Sequence, residues 1–301
     1  MKALRFIANL GGICFLVLLV GTFIFAVTNF HINDDSVVVT EYEVKSRKVQ
    51  KEFKVVQISD FHDFSGVDNA VQEVVSCKPD LIVTTGDMFD ANRPDLEKTL
   101  SLYDKLQDSI TCPILYCIGN HENSKPELLE ILKDEMKKRD ILLVHNSAIL
   151  QNVNGQDINV IGIYQDMKYN KTMAELKVNS DRFNLVLCHF PENFDNLLSN
   201  ESLYYEKELY WNFDLVLSGH AHGGQFRWRD KGLYAPNQGY LPKFTHGKYK
   251  LTDTETLIVN SGLGNSALPI RVNNPSEVVC ITIKPMDKED YVLYKIMEEE
   301  F

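Results

Sequence analysis

Residues 53–62 read Phe53-Lys54-Val55-Val56-Gln57-Ile58-Ser59-Asp60-Phe61-His62. A Val- and Ile-rich run, the composition of a buried strand, stops there on an aspartate and a histidine. The same pattern recurs along the chain. Residues 80–86 lead into Asp87, and residues 113–119 into Asn120-His121-Glu122. Residues 183–188 lead into His189, and residues 213–219 into His220-Ala221-His222. Residues 158–164, 256–262 and 277–283 are further runs of the same kind. Ligands of open α/β sheets bind beyond the carboxyl ends of the strands. Five such ends carrying Asp, Asn and His can therefore converge on one site.

Between the early runs lie amphipathic stretches, predicted as helices over 68–77, 94–107 and 126–139. Strands alternating with helices and then following one another predict an α/β layered domain with mixed sheets. No boundary is expected after residue 50. The expected organisation is a membrane anchor (1–30), a linker with an edge strand (31–50) and a catalytic domain (51–301). The 301 residues carry 31 basic and 42 acidic side chains, a net charge of −11. That excess argues against a nucleic-acid partner, which needs a basic face to displace counterions. Six cysteines in this length are no disulfide framework. The sequence leaves the oligomeric state open.

Phe6 to Val27 is apolar and uncharged. As a helix it would span about 33 Å, enough for a bilayer core. Lys2 and Arg5 precede it, and Asp34 and Asp35 follow it. The expectation is one transmembrane helix at the cell membrane, N-terminus cytoplasmic and catalytic domain outside. A cleaved signal peptide is the alternative, although the run exceeds an ordinary signal core.

Asp60, His62, Asp87, Asn120, His189, His220 and His222 are enough ligands for two divalent ions, with Asp87 as the best bridging candidate. Imidazole suits Mn, Zn, Fe, Ni or Co, and carboxylate suits harder ions. In Gly219-His220-Ala221-His222-Gly223-Gly224, two histidines at i and i+2 of an extended segment would point the same way. Two ions against the two carboxylates and one hydroxide leave the site net positive, which favours a phosphate ester. Such a pair generates hydroxide at neutral pH and clamps an in-line displacement. His121 is left over. Beside Glu122 it can be held to donate to the leaving oxygen, so both are candidate catalytic residues.

In this order, D-x-H, GD, GNHE, a lone His and GHAH resemble the calcineurin-like metallophosphoesterase superfamily. GHAHGGQ, with the later residues 260–283, is similar to its membrane-associated YkuE/YaeI-type branch. The resemblance implies a four-layer αββα sandwich of two mixed sheets, the metallo-dependent phosphatase type. It implies one ion on Asp60, His62, Asp87 and His222, and a second on Asp87, Asn120, His189 and His220. It implies His121 as catalytic acid or phosphate contact, with Mn the favoured ion. Every motif position is filled. The expected function is hydrolysis of a phosphodiester or pyrophosphate by a bridging hydroxide, on a lipid-linked or envelope substrate. A phosphomonoesterase on a small substrate is one alternative. A non-catalytic, membrane-anchored metal- or partner-binding module is another.

Residues 262–267 fit a G-x-G-x-x-A nucleotide fingerprint, but Pro269 argues against the helix it needs. A tight glycine turn at the metal rim is the competing reading. Leu203, Tyr204, Tyr205, Tyr210 and Trp211 are candidates for an aromatic lip facing the bilayer. Arg227, Arg229 and Lys231 are candidates for a second phosphate or an anionic head group, with an ordinary solvated hairpin as the competing reading.

Overall fold

Neighbouring residues of the predicted strands serve different cores. Within β2 (Phe53–Ile58), Val55 packs into one apolar cluster and Val56 into another. In β3 (Leu81–Thr85), Leu81 and Val83 share the first cluster and Ile82 joins the second. Side chains that alternate across a strand, apolar on both sides, require a layer on each face of the sheet.

The computed structural model describes residues 15–22, 36–164, 181–194, 213–252, 255–265 and 270–287. Two six-stranded mixed sheets form its frame. The first runs β1 (Val37–Ser46), β16 (Ser276–Pro285), β2, β3, β4 (Ile114–Cys117) and β5 (Leu142–Leu143). From β2 to β5 it is parallel; β16 runs antiparallel to β2. The second runs β14 (Gly247–Lys250), β15 (Thr256–Val259), β9 (Leu215–Ser218), β8 (Asn184–Cys188), β7 (Gln156–Ile163) and β6 (Ser147–Val153). Its β15, β9, β8 and β7 are parallel, and an antiparallel strand closes each edge. Two short hairpins, β10 (Arg227–Trp228) with β11 (Lys231–Gly232) and β12 (Tyr234–Ala235) with β13 (Gly239–Tyr240), follow β9.

The sheets stack face to face over Val55, Leu81, Leu115, Leu185, Leu217 and Ile258. The far face of the first sheet carries three helices: α2 (Val67–Cys77), α3 (Leu96–Ser109) and α5 (Pro126–Lys138). A single turn, α4 (Asn120–Asn123), links β4 to the last of them. Val74, Leu106 and Leu132 pack on that face against Ile82 and Tyr116. Each of the three begins within two residues of its predicted start. Asp95 caps α3 by accepting from Lys98 N at 3.0 Å, and Pro126 opens α5. A third core, with Phe194, Phe213, Phe244 and Leu251, covers the far face of the second sheet. A fourth, helical layer there would fall on residues outside those described, as does the predicted lip at 203–211.

No helix among the described residues is long and apolar enough to cross a membrane. Of the predicted anchor only α1 (15–22) is described, and it is exposed. Five cysteines of the domain are free thiols, and four of them (Cys77, Cys117, Cys188 and Cys280) are buried core residues.

This topology puts Asp60, Asp87 and Asn120 just past the carboxyl ends of three adjacent parallel strands of one sheet. His189 and His220 occupy the same place on two adjacent strands of the other. The chemistry therefore collects at one end of the seam between the sheets.

Candidate metal centre

The loops leaving the strands are tied to one another. Asp60 N donates to Gly86 O at 2.9 Å, His62 N to Asp87 O at 3.1 Å, and Gly219 N to His189 O at 3.1 Å. Such close approach excludes side chains at two turns. A Cβ on Gly219 would stand 1.9 Å from Ser59 Oγ and 2.2 Å from Asp60 Oδ2. Gly86, at φ +93°, would put one 2.5 Å from Gly119 N. Asp60, His62, Asp87, His220 and His222 all sit at positive φ, between 42° and 65°. Left-handed backbone at non-glycine residues costs about 1 kcal/mol or more each and clusters where function demands it.

The side chains form three overlapping groups: Asp60, His62 and His222; His62, Asp87 and His121; Asp87, His189 and His220. Asp87 Oδ1 accepts from His121 N at 2.8 Å, so only Oδ2 is left to face the site. Oδ2 lies 3.6 Å from His62 Nε2, 3.2 Å from His189 Nε2 and 4.0 Å from His121 Nε2. Asn120 Oδ1 and His220 Nδ1 each stand 3.1 Å from His189 Nε2. On the other side, His222 Nε2 is 3.5 Å from Asp60 Oδ1, and both Asp60 oxygens accept from His220 N.

The geometry corrects several expectations. The histidines of residues 219–224 do not alternate along an extended strand. His220 and His222 lie at positive φ on either side of Ala221 in a tight turn, and they serve different groups. Glu122 does not hold the His121 ring. Its buried carboxylate accepts from the backbone N–H of Asp87, Met88 and Gly119, pinning the ends of β3 and β4 together. Glu122 is therefore a positioning residue. His121 Nδ1 instead accepts from Ala91 N at 2.8 Å. Arg227 does not face outward: it donates to Gly223 O at 2.9 Å and to Ser261 Oγ, bracing the turn. The fingerprint of residues 262–267 is a rim turn in its described part: Gly264 N donates to Asp60 O at 2.7 Å.

Three supporting residues stand outside the five strand-end motifs. Asn237 reaches His220 Nε2 at 3.0 Å and donates to Glu192 at 3.0 Å. Buried Arg271 donates to Gly264 O at 3.1 Å and lies 3.5 Å from His222 Nδ1. Burial makes charge costly throughout the site. It drives His62 down to about 4, His220 to about 3 and His222 well below the usual imidazole range. Burial raises Asp60 to about 6. His189 goes the other way: burial opposes its charge, but the Asp87 carboxylate carries it up to about 10.

The donor set fits divalent ions. His189 Nδ1 lies 2.7 Å from Thr85 O and must donate there. Nε2 then faces a carboxylate oxygen, an amide oxygen and another imidazole nitrogen, and the proton that Asp87 holds there is the one a bound ion would replace. Acceptor atoms converging in this way need a cation among them, either a proton or a metal ion. Both ring nitrogens of His62 are buried and make no hydrogen bond, so the one lone pair of its neutral ring can serve an ion.

Comparison with known proteins assigns the chain to one family. Residues 53–224 match the family described as calcineurin-like phosphoesterase. An uncharacterized metallophosphoesterase of Campylobacter jejuni is 30% identical over 256 residues, covering 82% of this chain and 63% of that one. The metallophosphoesterase YkuE of Bacillus subtilis is 29% identical over 262 residues, covering 81% and 85%. The chain spans about three fifths of the length of the first curated relatives it matches, 62–63%. Among solved structures, the TT1561 protein of Thermus thermophilus is 14% identical with a TM-score of 0.48, covering 74% of this chain and 99% of that one.

Proposed function

The chain belongs to the calcineurin-like phosphoesterase family, and from that premise we propose that it hydrolyses a phosphodiester or pyrophosphate at a site for two divalent ions, with Mn favoured. One observation carries this reading: Asp87 Oδ2 faces His62 on one side and His189 on the other, at 3.6 and 3.2 Å. Asp60, His62, Asp87 and His222 would hold one ion, and Asp87, Asn120, His189 and His220 the other. Bound there, the ions supply Lewis-acid polarisation of the phosphoryl oxygens and a strongly acidified water.

The chain's own residues do the rest. Ala91 N–H occupies His121 Nδ1, so the ring proton sits on Nε2, which points into the site. His121 thus acts as a neutral hydrogen-bond donor to a phosphoryl or leaving oxygen. Glu122 keeps Asp87 in place. Asn237, anchored on Glu192, holds the ring of His220 in place. The apolar run Phe6–Val27 supports a membrane anchor, with the domain on the outer side and a lipid-linked or envelope substrate.

The His189 proton gives a pH signature. Below about 10 the ring is charged, and an ion taking Nε2 must displace that proton. Affinity at this half of the site is therefore expected to rise with pH up to about 10. The slope should be roughly one log unit per pH unit. Calorimetry in buffers of different ionisation enthalpy should show about one proton released per ion bound there; no release would contradict the assignment.

For substrate class, the full chain in detergent is stripped of metal, given Mn²⁺ and assayed on matched aryl phosphodiester and monoester. Metal-dependent turnover favouring the diester is expected. The reverse ratio would make it a phosphomonoesterase. Two bound ions without turnover would favour the non-catalytic module.

A further inference from the structure

The two short hairpins beyond His222 form one flap. Leu233 N donates to Phe226 O at 2.9 Å, and Leu241 N to Leu233 O at 3.0 Å, so the hairpins are joined through their backbones. The flap is fastened to the metal centre by Asn237, whose amide meets His220. Five of its large apolar side chains are exposed. Tyr240 is 86% exposed, Leu241 75%, Tyr234 45%, Leu233 41% and Trp228 39%. Tyr234 and Tyr240 are paired in register, with rings edge to face at 5.5 Å. Leu241 is held at φ +53°, a conformation that a bulky residue rarely adopts. An apolar side chain that is both strained and exposed calls for a use.

Charge on the flap is reversed relative to the chain. Residues 226–243 hold four basic side chains (Arg227, Arg229, Lys231 and Lys243) against one acid, Asp230, whereas the whole chain is at −11. All but Arg227 of these cations are exposed.

We propose that this flap docks on an anionic lipid bilayer, with Trp228, Tyr234, Tyr240 and Leu241 at the head-group level and Arg229, Lys231 and Lys243 on lipid phosphates. Tyr and Trp favour the membrane interface, and basic side chains beside apolar ones select anionic lipid. A soluble polyanion would leave the exposed Leu and Tyr side chains in water. A second copy would bring the same cations face to face across a two-fold axis. Docking places the metal centre against the lipid surface. Its use in presenting a lipid-linked phosphate rests on the proposed function; the docking itself does not.

The test uses the full chain carrying Trp211→Phe, which leaves Trp228 as the single tryptophan of the two in the sequence. It is reconstituted into phosphatidylcholine vesicles with or without roughly 30 mol% phosphatidylglycerol, with bromine on the acyl chains. Trp228 emission is expected to be quenched in the anionic vesicles and not in the neutral ones. Lys231→Ala should lower the docked-to-undocked ratio roughly five-fold, the worth of one cation near such a surface. Leu241→Asp should abolish quenching, with circular dichroism confirming the fold. Absent quenching, or equal quenching in both vesicles, overturns the proposal. So does an emission shift with soluble polyphosphate but no bromolipid quenching, or a concentration-dependent dimer that shields Trp228. Aryl phosphodiester turnover is read on the same vesicles. Quenching without turnover would remove the hydrolytic reading and leave the docking surface. Turnover without quenching would do the reverse.

Discussion

Asp87→Asn is expected to reduce phosphoester hydrolysis by more than about 10³-fold, beyond the 10–100-fold typical of a residue supporting a metal site from outside. The substitution is nearly isosteric. Asn tolerates positive φ, so the 54° backbone at residue 87 is not strained by it. The amide oxygen can still accept from His121 N, the bond that Oδ1 makes at 2.8 Å. What changes is the other atom. Oδ2 faces His62, His189 and His121, and an NH₂ there presents protons where both ions would need a lone pair. Elemental analysis of the folded variant should show both ions depleted. Two retained ions with activity within about ten-fold of the parent would mean that Asp87 is not shared between them.

His121→Ala separates binding from chemistry. Its Nδ1 is engaged by Ala91 N–H and its Nε2 is 4.0 Å from the shared carboxylate oxygen. It is half-buried, whereas His62, His189, His220 and His222 are fully so. Losing one donor to charge developing on a phosphoryl group costs about 10²–10³ in kcat. The expected result is that loss with full metal content, and partial recovery in His121→Gln, which restores a donor. Metal loss matching that of Asp87→Asn would make His121 a ligand instead.

The sequence showed the frame well because buried parallel strands announce themselves. Residues 53–59, 80–86, 183–188 and 213–219 are apolar on both faces, and each abruptly becomes polar where its strand ends. That break located Asp60, Asp87, His189 and His220. It could not supply the conformation beyond the break. The reading of His220 and His222 as neighbours on a strand failed because the residues turn through positive φ instead. Adjacency in sequence also misled for Glu122, whose carboxylate turns toward the backbone of Asp87 and Met88 rather than toward the ring beside it. Asn237, Glu192 and Arg271 lie outside the β-strands and α-helices, and only the assembled fold brings them to the histidines. The hairpin at residues 227–232 was legible from its charged side chains, but the second one was missed because strands of two residues leave no alternating pattern.

The most direct test is a titration of metal-stripped full chain with Mn²⁺, following bound metal and aryl phosphodiester turnover in the same samples. The account predicts saturation at two ions per chain, turnover that rises with the second ion, and neither in Asp87→Asn. Saturation at one ion with full turnover, or turnover indifferent to metal, would contradict it.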